Sequence, residues 1–89
     1  MNSVASRAFW RCFDDLSATI QDQARAAYQL WMNDPGHRSL NFKYVHASRP
    51  VVSVRIGLHH RALGIRDGDT VVWFWIGSHA EYDNLVKRL

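Results

Sequence analysis

Val71-Val72-Trp73-Phe74-Trp75-Ile76-Gly77-Ser78-His79-Ala80-Glu81-Tyr82-Asp83 decides how the rest of the chain is read. Its first six residues are all β-branched or aromatic, too few to span a bilayer and too rich in strand formers for a helix. They read as a central strand covered on both faces. After Gly77 come a hydroxyl, an imidazole, a carboxylate and a phenol, gathered at the end of a rigid element where chemistry is best positioned.

Working outward, Thr70–Ile76 and His60–Arg66 flank Asp67-Gly68, a strong signal for a two-residue hairpin loop. With that loop, Arg66 faces Asp69, Leu63 faces Val72, Arg61 faces Phe74 and His60 faces Trp75. The ribbon then has two faces. Leu63, Ile65, Val72, Phe74 and Ile76 are expected against helices, and Arg61 shares their parity. His60, Ala62, Gly64, Val71, Trp73 and Trp75 form the other face, an apolar groove for a ligand or partner chain.

Before the hairpin, Val52, Val54 and Ile56 alternate with Val51, Ser53 and Arg55, predicting a half-buried strand that starts after Pro50. Ala8, Phe9, Cys12, Phe13 and Leu16 mark one face of a helix over residues 6–16. Ile20, Ala24, Ala27, Tyr28 and Trp31 mark a second, capped by Ser17 or Thr19 and ending before Asp34-Pro35-Gly36. Residues 1–5 read either as an edge strand or as a lead-in, 37–49 as a connection with a short strand near Leu40, Phe42 and Tyr44, and 79–88 as a last helix or tail. The fold class is α+β: a small antiparallel sheet of about four strands backed by two antiparallel N-terminal helices, in a single domain over residues 1–89.

Composition narrows the function. Eighty-nine residues allow one core, and 47% hydrophobic content with four Trp excludes disorder. Net charge is +3 with a pI near 9.5, which makes polyanions plausible partners. The single Cys12 cannot form an internal disulfide, no leader pattern opens the chain, and no apolar run reaches the roughly 20 residues of a membrane span. A reduced, cytoplasmic setting is expected.

Lys43, His46, Arg49, Arg55, His59, His60, Arg61, His79, Glu81 and Tyr82 are the polar groups able to converge near the sheet end. Such a set suits a phosphodiester. RNA cleavage needs a group to take the 2′-hydroxyl proton, cations to stabilise the phosphorane and a group to protonate the leaving 5′-oxygen. Each residue also has a plainer reading: His79 as a helix cap, Tyr82 as a packing ring, Arg55 and Arg61 as solvated or paired with Asp14, Asp15 or Asp83. His59 and His60 are adjacent on a strand and point to opposite faces, so they do not suggest a metal site. No phosphate-loop, dinucleotide or zinc signature occurs.

In order, the two helices, Phe42-Lys43-x-Val45-His46, Val52-Ser53-Val54-Arg55-Ile56, Arg61-Ala62-Leu63-Gly64 and Gly77-Ser78-His79-x-Glu81-Tyr82 resemble the RelE/ParE superfamily of toxins over nearly the whole chain. The resemblance, on the RelE-like branch, implies a type II toxin: a metal- and cofactor-independent, ribosome-dependent mRNA endonuclease that inhibits translation. It implies catalytic roles for Arg61, which stabilises the transition state, His79, the acid or base, and Tyr82, which stacks on or deprotonates the substrate. Lys43, His46 and Arg55 are implied as substrate-binding. The implied partners are a cognate antitoxin lying across the helices and the Trp73/Trp75 surface, mRNA on the ribosome, and operator DNA through the antitoxin. Two alternatives share the fold: a ParE-type inhibitor of DNA gyrase without nuclease activity, and a degenerate module that binds RNA or antitoxin without turnover.

Overall fold

In the computed structural model, which describes residues 1–89, serine hydroxyls set all three helix starts. Ser6 Oγ accepts the Phe9 N–H (3.3 Å) and Ser17 Oγ the Ile20 N–H (3.3 Å), each satisfying an amide that has no partner inside its own helix. Helix α1 runs Arg7–Asp14 and α2 Ala18–Asn33, close to the expected limits. Asp34 then leaves the helical region, as a residue before proline must. Helix α3 spans His79–Arg88. None of the three is long and apolar enough to cross a membrane.

The strands are β1 (Asn2–Ala5), β2 (Lys43–Tyr44), β3 (Val51–Ile56), β4 (His60–Asp67) and β5 (Thr70–Ser78), in the order β1-β5-β4-β3-β2. The class is the expected α+β. The sheet has five strands, because residues 2–5 do form an edge strand, parallel to β5, while the other pairings are antiparallel.

The hairpin differs from the reading above. Asp67 pairs with Thr70, so the loop is Gly68-Asp69, with Gly68 at φ 58°. Glycine in the first loop position is the type II′ arrangement, whereas Asp-Gly as the loop would require positive φ at both residues. The register therefore moves by two. A bulge between Leu63 and Gly64 adds one more, leaving Leu63 opposite Trp75, Arg61 opposite Gly77 and His60 opposite Ser78.

The helices cover the opposite face of the hairpin from the one expected, and the bulge, whose unpaired residue is Phe74, flips β5 beyond it so that Ile76 stays on the same side as Val71 and Trp73. Ala62, Val71, Trp73 and Ile76 join Val52, Val54 and Ile56 under the helices, packed on Phe13, Ala24, Trp31 and Leu40. Leu63, Ile65 and Val72, expected there, lie on the other side. Trp73 lines no open groove. It is 5% exposed and meets Trp31 edge to face, ring centroids 5.3 Å apart.

Gly64 makes that packing possible. A Cβ there would stand 2.6 Å from Val71 Cγ1 and 2.9 Å from Trp73 Cε3. Gly64→Ala is accordingly expected to destabilise the fold by about 1–3 kcal/mol, seen as a lower urea midpoint with an unchanged m-value.

Candidate functional site

With Ala62 turned toward the helices, Arg61 has a place to work. It now belongs to the face away from α1 and α2, directly between Arg55 of β3 and Gly77 of β5. Like charges directly opposite on neighbouring strands oppose pairing, yet no carboxylate lies within ion-pair distance of either arginine; the pairs with Asp14, Asp15 or Asp83 left open by the sequence do not form. Arg61 is 8% exposed, and its Nη1 donates to the His60 carbonyl at 2.7 Å. Burial pushes its pKa below the ordinary arginine value, Arg55 adds to the fall, and Tyr82 and Asp83 oppose it. A guanidinium remains protonated at neutral pH through such a shift. Two unneutralised cations side by side are a standing invitation to an anion.

Helix α3 brings the proton-carrying groups. Ser78 and Glu81 form a capping box, the Ser78 N–H donating to Glu81 Oε1 and the Glu81 N–H to Ser78 Oγ, both at 3.2 Å. The His79 N–H donates to the His59 carbonyl at 2.7 Å, fixing the start of α3 to the turn between β3 and β4. His79 and Tyr82, three residues apart, share one side of the helix and meet edge to face with ring centroids 5.9 Å apart. The Tyr82 hydroxyl donates to Oγ of Ser53 on β3 at 3.3 Å, and His79 Nε2 stands 3.3 Å from Asp83 Oδ1.

These elements enclose a cavity of about 310 Å³, lined by Lys43, Arg55, Arg61, His79 and Tyr82 together with Asn41, Ser53 and Asp83. Its walls hold three fixed cations, one carboxylate, an imidazole and a phenol. They can bind a phosphate and exchange protons beside it.

Of the candidate residues, Lys43, Arg55, Arg61, His79 and Tyr82 share this cavity, and His46 does not. Its Nδ1 accepts the Ser48 and Arg49 N–H groups at 3.1 and 2.9 Å, so the proton sits on Nε2, which donates to the Leu89 carbonyl at 2.9 Å. Both ring nitrogens are committed to holding a loop against the end of α3. Glu81 is likewise taken up by its cap, and Arg49, His59 and His60 lie outside the cavity. No three or more His, Cys, Asp or Glu side chains are grouped so as to hold a metal ion.

Sequence reasoning missed Asn41, Ser53 and Asp83 as members of the site. Two left a signal: Ser53 shares the strand parity of Arg55, and Asp83 is one helical turn beyond His79. Asn41 left none, since its place depends on a left-handed turn at φ 45°.

A family model described as a ParE-like toxin domain matches residues 18–84. No curated protein matches. Among solved structures, YafQ from Escherichia coli is similar at TM-score 0.73 and 9% identity, covering 91% of this chain and 96% of that one. The toxin of the RelB-RelE complex from Methanococcus jannaschii is similar at 0.72 and 12%, covering 92% and 96%, and that of RelBE2 from Mycobacterium tuberculosis at 0.69 and 20%, covering 88% and 96%. At those identities the likeness is one of fold. The family model covers more than half of the chain, so the chain belongs to the ParE-like toxin domain family, within the RelE/ParE superfamily of type II toxins.

Proposed function

We propose that the cavity cuts RNA, and that the protein is a metal-independent mRNA endonuclease acting on the ribosome. The observation that carries this reading is the meeting of unpaired Arg55 and Arg61 with His79 and Tyr82 in one cavity. Lys43 and Arg55 hold the scissile phosphate. Arg61, immobilised by burial, faces the oxygen on which charge grows as the phosphorane forms, so it pays no reorganisation cost at that moment. His79 and Tyr82 exchange the protons of the attacking 2′-hydroxyl and the leaving 5′-oxygen. A cavity of about 310 Å³ admits little more than one linkage and its sugars. Alignment of a longer RNA has to come from the surface that presents it, which supports ribosome-bound message as the substrate.

Two of the similar structures are antitoxin–toxin complexes, which supports a cognate antitoxin for this chain. It would have to close or distort the cavity, and operator binding would be its own contribution. Trp73 lies beneath the helices, so the antitoxin cannot cover it as the sequence suggested.

Induced expression in a bacterial host tests the reading. Wild type is expected to stop translation with transcripts cut inside reading frames, and His79→Ala to lower the cleavage rate about 10²–10⁴-fold while leaving the thermal unfolding midpoint within a few degrees. Intact transcripts with an SOS response would instead identify an inhibitor of gyrase, the reading that the family's ParE-like description favours. Binding to ribosomes without cut products would identify a module that has lost turnover.

A further inference from the structure

Asp83 is the only carboxylate in a cavity otherwise walled by cations and neutral polar groups. An anion beside a phosphate site opposes binding through Coulomb repulsion, so its presence there calls for a role that offsets the loss. Its Oδ1 stands 3.3 Å from His79 Nε2. A neutral imidazole carries one proton and one lone pair, and the partner of one nitrogen decides which is which. A carboxylate only accepts. The two side chains are about half exposed (47% and 54%) and the contact falls short of hydrogen-bond alignment; once aligned, it would keep the proton on Nε2 and leave the lone pair on Nδ1.

We propose that Asp83 is a positioning residue that fixes the Nε2–H tautomer of His79, making Nδ1 the base that takes the 2′-hydroxyl proton. This rests on the nuclease reading of the cavity. The Nδ1 lone pair accepts the proton, and the 2′-oxygen electron pair forms a bond to phosphorus. The bond from phosphorus to the 5′-oxygen breaks, its electron pair leaves on that oxygen, and the Tyr82 hydroxyl supplies the proton and regains one from water. The products are a 2′,3′-cyclic phosphate and a 5′-hydroxyl. Asp83 stabilises the imidazolium as it forms, and its contact with Nε2 shortens in the loaded site, as catalytic hydrogen bonds do. Lys43 of β2, Arg55 of β3, Arg61 of β4 and Tyr82 of α3 are the other charged or titratable groups facing His79.

The kcat and KM for cleavage of ribosome-bound mRNA, with Asp83→Asn, distinguish this from a structural or screening role. Losing an anion from a phosphate site should by itself tighten binding and leave turnover unharmed or faster. The tautomer role gives the opposite result for turnover: kcat falls about 100-fold while KM stays level or falls. Asp83→Glu restores part of kcat. A kcat for Asp83→Asn within twofold of wild type, with His79→Ala inactive, overturns the Asp83 assignment alone; full cleavage by His79→Ala overturns the nuclease reading itself. Nitrogen NMR of the His79 ring reads the tautomer without turnover. Nε2–H is expected in wild type and a mixture in Asp83→Asn, and Nδ1–H in wild type overturns the proposal.

Discussion

Arg61→Ala is expected, on the proposed nuclease reading, to lose about 10²–10³-fold in the rate of RNA cleavage, the usual cost of removing a preorganised donor from a developing oxyanion. Arg61→Lys recovers little, because an ammonium presents a single point of contact where the guanidinium presents a fork. The same position should behave in the opposite way in stability. Folding buries this cation and sets it against Arg55, which is why its pKa falls. A lowered pKa in a cationic group means that the fold disfavours the charged form, and that cost persists at every pH where the guanidinium stays protonated. Arg61→Met, which keeps the packing stem, is expected to unfold at a higher temperature than wild type while being inactive. A variant that is both inactive and less stable would show Arg61 to be a structural residue.

The largest effect on stability is expected at Trp73. Trp73→Ala removes a ring packed on Trp31 and Phe42, together with the indole N–H that donates to Ser3 Oγ at 3.1 Å. The expected loss is about 3–5 kcal/mol, a large share of the total for a domain of this size. Trp75→Ala, on the opposite face and half-buried, should cost clearly less by chemical denaturation. Equal losses would contradict the register found for the hairpin.

That register marks where the sequence stopped being legible. The helices could be read because their apolar spacing, serine caps and the Asp34-Pro35 stop all point the same way. The strands could be located by alternation, but their mutual alignment depends on a turn type and a bulge. Asp67-Gly68-Asp69 permits more than one loop, and nothing local reveals that Leu63/Gly64 carries an irregularity. The pattern grouped Ala62, Val71 and Trp73 correctly but set the other side of the ribbon, with Arg61, against the helices, because both sides are apolar enough to be buried. The site residues near Gly77 were visible as a group because they follow one another on α3. That His46 lies outside the cavity could not be read, because a basic residue on a connection gives no sign of whether its ring nitrogens are already spoken for.

The parallel pairing of β1 with β5 has a consequence for synthesis. Asn2–Ala5 are made near the start, yet their hydrogen-bonding mate, Thr70–Trp73, is made late, so the earliest strand must wait for most of the polypeptide before it can dock. His79 and Tyr82 come later still. A nascent chain thus carries Lys43, Arg55 and Arg61 before the two residues that complete the cavity beside them are made, and the sheet closes at its β1 edge only after β5 has appeared.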